Sequence, residues 1–127
     1  MRKTIQTKLA PSAIGPYSQG IRVEGALVYT AGQIALDPQT GEVVGGTIKE
    51  QTKRVLENIK AIVEAGGSDL DHVVKTTVFL KDMGDFGEMN EVYGSYFNKI
   101  PPARSTIEVS RLPRDVRVEI EAVAVVR

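Results

Sequence analysis

A chain of 127 residues, 42% hydrophobic and 25% charged, has room for one core and does not have the composition of a disordered protein. Sixteen basic residues balance sixteen acidic ones, so no obvious basic footprint is offered to a nucleic acid. With no cysteine and one histidine, disulfides and thiolate or multi-histidine metal sites are excluded by inventory.

The basic N-terminus MRKTIQTKLAPS lacks the apolar stretch of a signal peptide, and the longest apolar run, Ala122 to Val126, is far short of a membrane span. The expectation is a soluble, cytoplasmic, single domain over residues 1–127. Thr4 to Gln6 reads as a short strand, followed by the loop Ala10 to Pro16. Gly20 to Val23 and Leu27 to Ile34 read as strands, and Glu24-Gly25 between them as a tight hairpin turn. Asp37-Pro38 and Thr40-Gly41 mark a loop.

Thr47 with Glu50 three residues on fits a capping box, and the segment behind it is helical. Ile48, Thr52, Val55, Leu56, Ile59, Ile62 and Val63 recur at three- and four-residue steps, and Gly66-Gly67 ends the helix. Val73 to Leu80 is rich in β-branched residues and predicts a strand. Asp85 and Glu88 repeat the capping pattern before a second helix with Phe86, Met89, Val92, Tyr93, Tyr96 and Phe97 on its apolar face. Pro101-Pro102 stops it. Ala103 to Val109 and Val116 to Val126 are the last strands, joined through Arg111 to Asp115.

This order predicts an α+β fold, a two-layer sandwich of a mixed six-stranded sheet with both helices on one face. The second half of the last strand is apolar on both sides, which places it inside the sheet. The alternative is a hairpin of the last two strands, with Arg104 opposite Glu121, Thr106 opposite Glu119 and Glu108 opposite Arg117. Because the helices cover only one sheet face, burial of the other by further copies of the chain is expected.

Arg104 opens a strand just after two prolines, where a rigid guanidinium fork suits a carboxylate; a surface or interface salt bridge is the plainer reading. Glu119 lies on a largely apolar strand, a setting for acid/base work, against the simpler reading of a wet sheet face. Tyr17 sits on a proline-stiffened loop and could equally pack on the core. His72 reads as a partly exposed residue at a strand start, and Gly32 as a bulge or a close backbone approach.

Five ordered blocks give these positions more weight. Ala13 to Gly20 (AIGPYSQG), Ala31 to Ile34 (AGQI), Lys75 to Asp82 (KTTVFLKD), Pro102 to Ser105 (PARS) and Arg111 to Val116 with Val118 to Ala122 resemble the reactive intermediate deaminase (Rid/YjgF) family. The presence of both Arg104 and Glu119 resembles its deaminase branch. The resemblance implies a chorismate-mutase-like homotrimer with clefts between subunits. It also implies hydrolysis of 2-iminobutanoate and 2-iminopropanoate to 2-keto acids and ammonia, without metal or cofactor. Carried over by position, Arg104 would grip the carboxylate, Tyr17 and Asn90 would line the cleft, and backbone at Gly32 and Thr106 would touch the ligand. Glu119 would position water. Ala31 stands where the family commonly has Ser, and Thr106 where many members have Cys. A non-catalytic sensor of small carboxylates and a ribonuclease are the competing functions, the latter opposed by the charge balance and by the lack of an aromatic stacking ladder.

Overall fold

The computed structural model describes residues 1–127. Helix α1 (Ile48–Ala65) forms where the periodicity predicts it. Thr47 caps it, its hydroxyl accepting from the Glu50 N–H at 3.1 Å and donating to the Glu50 carboxylate at 2.9 Å. Ile48, Val55, Leu56, Ile59 and Val63 are buried on one stripe. Gln51 is buried on it too and accepts from the Arg117 backbone N–H at 2.8 Å, so the helix is tied to the sheet by a polar as well as an apolar contact. At its far end a side chain on Gly66 would strike Val28, which is why the helix can lie so close to the sheet there.

The second helix, α2 (Phe86–Tyr96), buries Met89 and Tyr93, with Phe97 just beyond its end. The expected Asp85 cap is absent. Asp85 is already helical in backbone conformation, whereas a capping side chain needs an extended one. Asp82 does the capping one turn earlier, accepting from the Gly84 N–H at 2.8 Å, and Asp85 faces Arg117 at 3.7 Å.

The strands are β1 (Arg2–Ile5), β2 (Gly20–Val23), β3 (Leu27–Tyr29), β4 (Val73–Leu80), β5 (Ala103–Glu108) and β6 (Val118–Val125). A mixed four-stranded sheet runs β3-β6-β4-β5, with β4 and β5 parallel and the other pairs antiparallel. Strand β6 is therefore interior, as its apolar second half requires. The alternative terminal hairpin does not form: Arg104 lies opposite Thr76, and Glu121 opposite Thr77.

The six strands divide four and two. β1 and β2 form a separate antiparallel ribbon, joined to β5 by one bridge at Ser18 and Ala103. In that bridge the Ser18 N–H donates to the Pro102 carbonyl at 3.0 Å, and Pro101 and Pro102 have no N–H with which to extend the ladder upstream. The hairpin expected at Glu24-Gly25 is also replaced. Gly25, at φ 126°, turns the chain from β2, which pairs with β1, into β3, which pairs with the apolar end of β6. Beyond β3 the pairing slips by one residue: Tyr29 faces Val123, yet Gln33 faces Ile120. Ala31 and Gly32 sit in the resulting bulge.

Val78, Leu80, Val118, Ile120, Ala122 and Ala124 share one core with both helices, which puts the helices on the same sheet face. No helix is long and apolar enough to cross a membrane. Thr52 is buried in this core and its hydroxyl has no hydrogen-bond partner. Since an unsatisfied buried hydroxyl costs about 1–3 kcal/mol, Thr52→Val should stabilise the fold by about 1 kcal/mol. Urea unfolding at fixed protein concentration checks this; a lower midpoint would mean that the hydroxyl is bonded.

Candidate functional site

Register fixes which side chains can meet. Arg104 is in line with Thr76, and Thr106 with Val78, so both point to the helix-covered face of the edge strand β5. Across from them α2 presents Phe86, Asn90 and Tyr93, spaced four and three residues apart on one stripe. The loop before β2 adds Ile14, Gly15 and Tyr17, which with Phe86, Asn90, Arg104 and Thr106 line a cleft of about 240 Å³; Tyr93 lies behind them, fully buried. A hollow of about 210 Å³ between the β1–β2 ribbon and the same loop has no charged side chain in its wall.

The Arg104 guanidinium lies 4.8 Å from the Tyr93 ring centre, 5.5 Å from that of Phe86 and 5.6 Å from that of Tyr17. The faces of aromatic rings attract a cation and partly replace its lost water. Nη1 donates to Asn90 Oδ1 at 2.6 Å, and no carboxylate is paired with the group. Burial draws the Arg104 pKa below its ordinary value, with Tyr93 and Tyr17 acting the other way. Burial likewise pushes the Tyr93 phenol up to about 12, against its 2.6 Å hydrogen bond with Thr76. The pocket is thus a half-buried cation among neutral groups, the arrangement that an incoming anion completes.

Thr106 contributes in two ways. Its hydroxyl is buried without a partner. Along β5 the ladder alternates, with Val109 donating inward to Leu80 and the Pro102 carbonyl turned outward to Ser18. That alternation leaves the Thr106 N–H and C=O facing the free edge.

Glu119 and Gly32 form a second group. Glu119 is level with Phe79, which is level with Ile107, so all three occupy the sheet face away from the helices. A side chain on Gly32 would overlap the Glu119 carboxylate, so glycine is what allows the bulge to approach it. Of the expected site residues, the structure brings together Arg104, Tyr17, Asn90 and Thr106. Gly32 and Glu119 meet each other but lie across the sheet from Arg104. His72 belongs to neither group; it packs against Asp69 at 2.7 Å at the start of β4.

The sequence reading missed Phe86 and Tyr93 as walls for Arg104, having assigned both to the core. The polar Asn90 set within their stripe was the available signal. It also missed Gln19. This one side chain accepts from the Thr7 N–H at 2.8 Å and donates to the carbonyls of Thr7, Ala10 and Pro11 at 3.1, 3.2 and 2.6 Å. It closes the loop that carries Tyr17, whose hydroxyl accepts from the Ile14 N–H at 3.2 Å.

A family described as endoribonuclease L-PSP matches residues 7–126. The chain belongs to the YjgF/RutC family. A RutC family protein of Pyrococcus abyssi is 59% identical over 123 residues, covering 97% of this chain and 96% of the relative. A protein of Salmonella typhimurium named 2-iminobutanoate/2-iminopropanoate deaminase is 52% identical over 130 residues, all of both chains. Among solved structures, E. coli TdcF with bound serine is 47% identical, with a TM-score of 0.76 over 98% of this chain and 99% of that one.

Within this YjgF/RutC fold, the Gln19 contacts yield a local test. Gln19→Ala should leave the global unfolding midpoint nearly unchanged, since those bonds are exposed. Amide exchange of residues 7–14 should rise at least several-fold, and unchanged exchange would show that the loop is held by other contacts.

Proposed function

We propose that this chain hydrolyses 2-imino acids such as 2-iminobutanoate and 2-iminopropanoate, with their enamine tautomers, to 2-keto acids and ammonia. The observation that carries this reading is Arg104: half-buried, held from one side, and without a counter-ion in a small cavity. The deaminase name of the Salmonella relative and the serine bound to TdcF support it, each being a statement about that protein. Arg104 takes the substrate carboxylate, Tyr17 and Asn90 line the cleft, and Thr106 offers its outward backbone groups. The iminium carbon is already electrophilic. Glu119 orients a water and accepts its proton as the oxygen adds to that carbon. The proton then passes to the nitrogen, the C–N bond breaks as the new hydroxyl gives up its remaining proton to Glu119, and ammonia leaves with the keto acid behind. Orientation and one acid/base group are sufficient for such a step.

The split between the two groups makes assembly part of the proposal. Arg104 and Glu119 of one chain stand on opposite sheet faces and cannot share one small substrate. A homotrimer in which the Arg104 cleft of one copy meets the Gly32–Glu119 face of the next completes the site. It also covers Tyr29 and Ile107, which a lone chain leaves exposed. Light scattering should therefore report about three times the 13.8 kDa chain mass, and a stable monomer would remove the shared site.

The family description favours a second reading, RNA cleavage. It is separated by asking whether nuclease activity survives repurification and disappears with a site variant. For the deaminase, 2-iminobutanoate is generated in situ and its decay followed with and without protein. Arg104→Lys keeps the charge but loses the planar fork, and activity should fall about ten- to a hundredfold. Glu119→Gln should lower turnover by ~10²–10⁴-fold while 2-ketobutanoate binding largely survives. Wild-type rates in both folded variants would refute the mechanism.

A further inference from the structure

We propose that Asn90 is a positioning and specificity-determining residue: it fixes the direction of the Arg104 guanidinium through a neutral oxygen and so keeps that charge available to an anionic substrate. The inference rests on the reading of the cleft as an imino-acid site and concerns how that site stays receptive.

A guanidinium has five N–H donors and accepts nothing. Only one, on Nη1, reaches a protein oxygen here, at 2.6 Å. Because Arg104 can only donate, the Asn90 amide must turn its oxygen to it, and its Nδ2 lies on the side of Gly15. Of the seven other arginines, Arg22, Arg111, Arg117 and Arg127 face a carboxylate, whereas Arg2, Arg54 and Arg114 reach only neutral oxygens. Arg104 is the one with a neutral partner that stands in a cavity among three aromatic rings. Aspartate has the shape and reach of asparagine, and a carboxylate at position 90 would bind Arg104 more strongly than an amide does. It would also cancel the cation that the substrate needs. The three rings around Arg104 fit the same logic, since they accommodate a cation without neutralising it.

The test compares Asn90→Asp and Asn90→Ala in the full, assembled protein, by calorimetry with 2-ketobutanoate, by turnover of 2-iminobutanoate and by thermal melting. In Asn90→Asp the new carboxylate competes with substrate. The Kd and KM should rise roughly ten- to a hundredfold, kcat at saturation should change little, and the melting midpoint should match or exceed that of wild type. Asn90→Ala removes the anchor but leaves the charge, so binding should weaken only a few-fold. Equal binding by Asn90→Asp and wild type, an Ala variant as weak as the Asp variant, or a wild type that binds no carboxylate would each overturn the inference. A wild type that binds 2-ketobutanoate but hydrolyses no imine would sink the deaminase reading instead, and the binding series would then decide the role of Asn90 alone.

Discussion

Holding a guanidinium half out of water with no counter-ion is the constraint around which this end of the molecule is arranged. Desolvation disfavours the charge, and the surroundings of Arg104 offset this with ring faces and one amide oxygen rather than with a carboxylate. The energetic consequence lies in what the site can still do. An anion about 4 Å from a cation gains ~4 kcal/mol at the effective dielectric near a protein surface, against ~1 kcal/mol in bulk water. A prepaired arginine would have no such gain left. Each neighbouring element serves this arrangement: two prolines start β5, α2 supplies Phe86, Asn90 and Tyr93, and Gln19 closes the loop that brings Tyr17 over the group.

How much of this was legible in the sequence depends on how local each decision is. Helix α1 was legible down to its cap, because its periodicity and Thr47 act within one turn. The interior place of β6 was legible because Ala122 to Val126 is apolar on both sides. Partner choice among short strands was not. Glu24-Gly25 has the chemistry of a hairpin turn, yet β3 finds its apolar partner, Val123 to Val125, about a hundred residues downstream. Nothing local in Leu27-Val28-Tyr29 names that partner. Asp85 misled for a related reason: the Asp82 turn had already begun to wind the chain, so the second acidic residue arrived inside the turn rather than at its start.

The site divides along the same line. In β6 the alternation of Val118 and Ile120 with Arg117, Glu119 and Glu121 foretold which face Glu119 takes. Arg104 and Asn90 are joined by a bond across fourteen residues, and that contact exists only once α2 has packed on the sheet. The five motif blocks contain Arg104, Tyr17, Gly32 and Glu119, and the family resemblance they carry added Asn90 and Thr106 by position. They could not show that one chain sorts these residues onto two sheet faces.

Strand β5 carries the strongest mark of that sorting. Read by hydrophobic pattern, its Ala103, Ser105 and Ile107 should face the core, with Arg104, Thr106 and Glu108 toward solvent. The structure inverts this: Arg104 and Thr106 take the helix side, and Ile107 is exposed. An inverted strand gives up apolar burial, leaves the Thr106 hydroxyl without a partner and desolvates a cation. Sequences tolerate such breaks in pattern mainly where a site requires them. Here one inversion has two effects at once. It turns Arg104 and Thr106 into a cleft, and it places Ile107 beside Phe79 and Glu119 on the uncovered face where the proposed neighbouring subunit would pack. The cleft and the exposed apolar surface of the proposed second-copy contact are thus consequences of the same register, and shifting β5 by one residue would remove both.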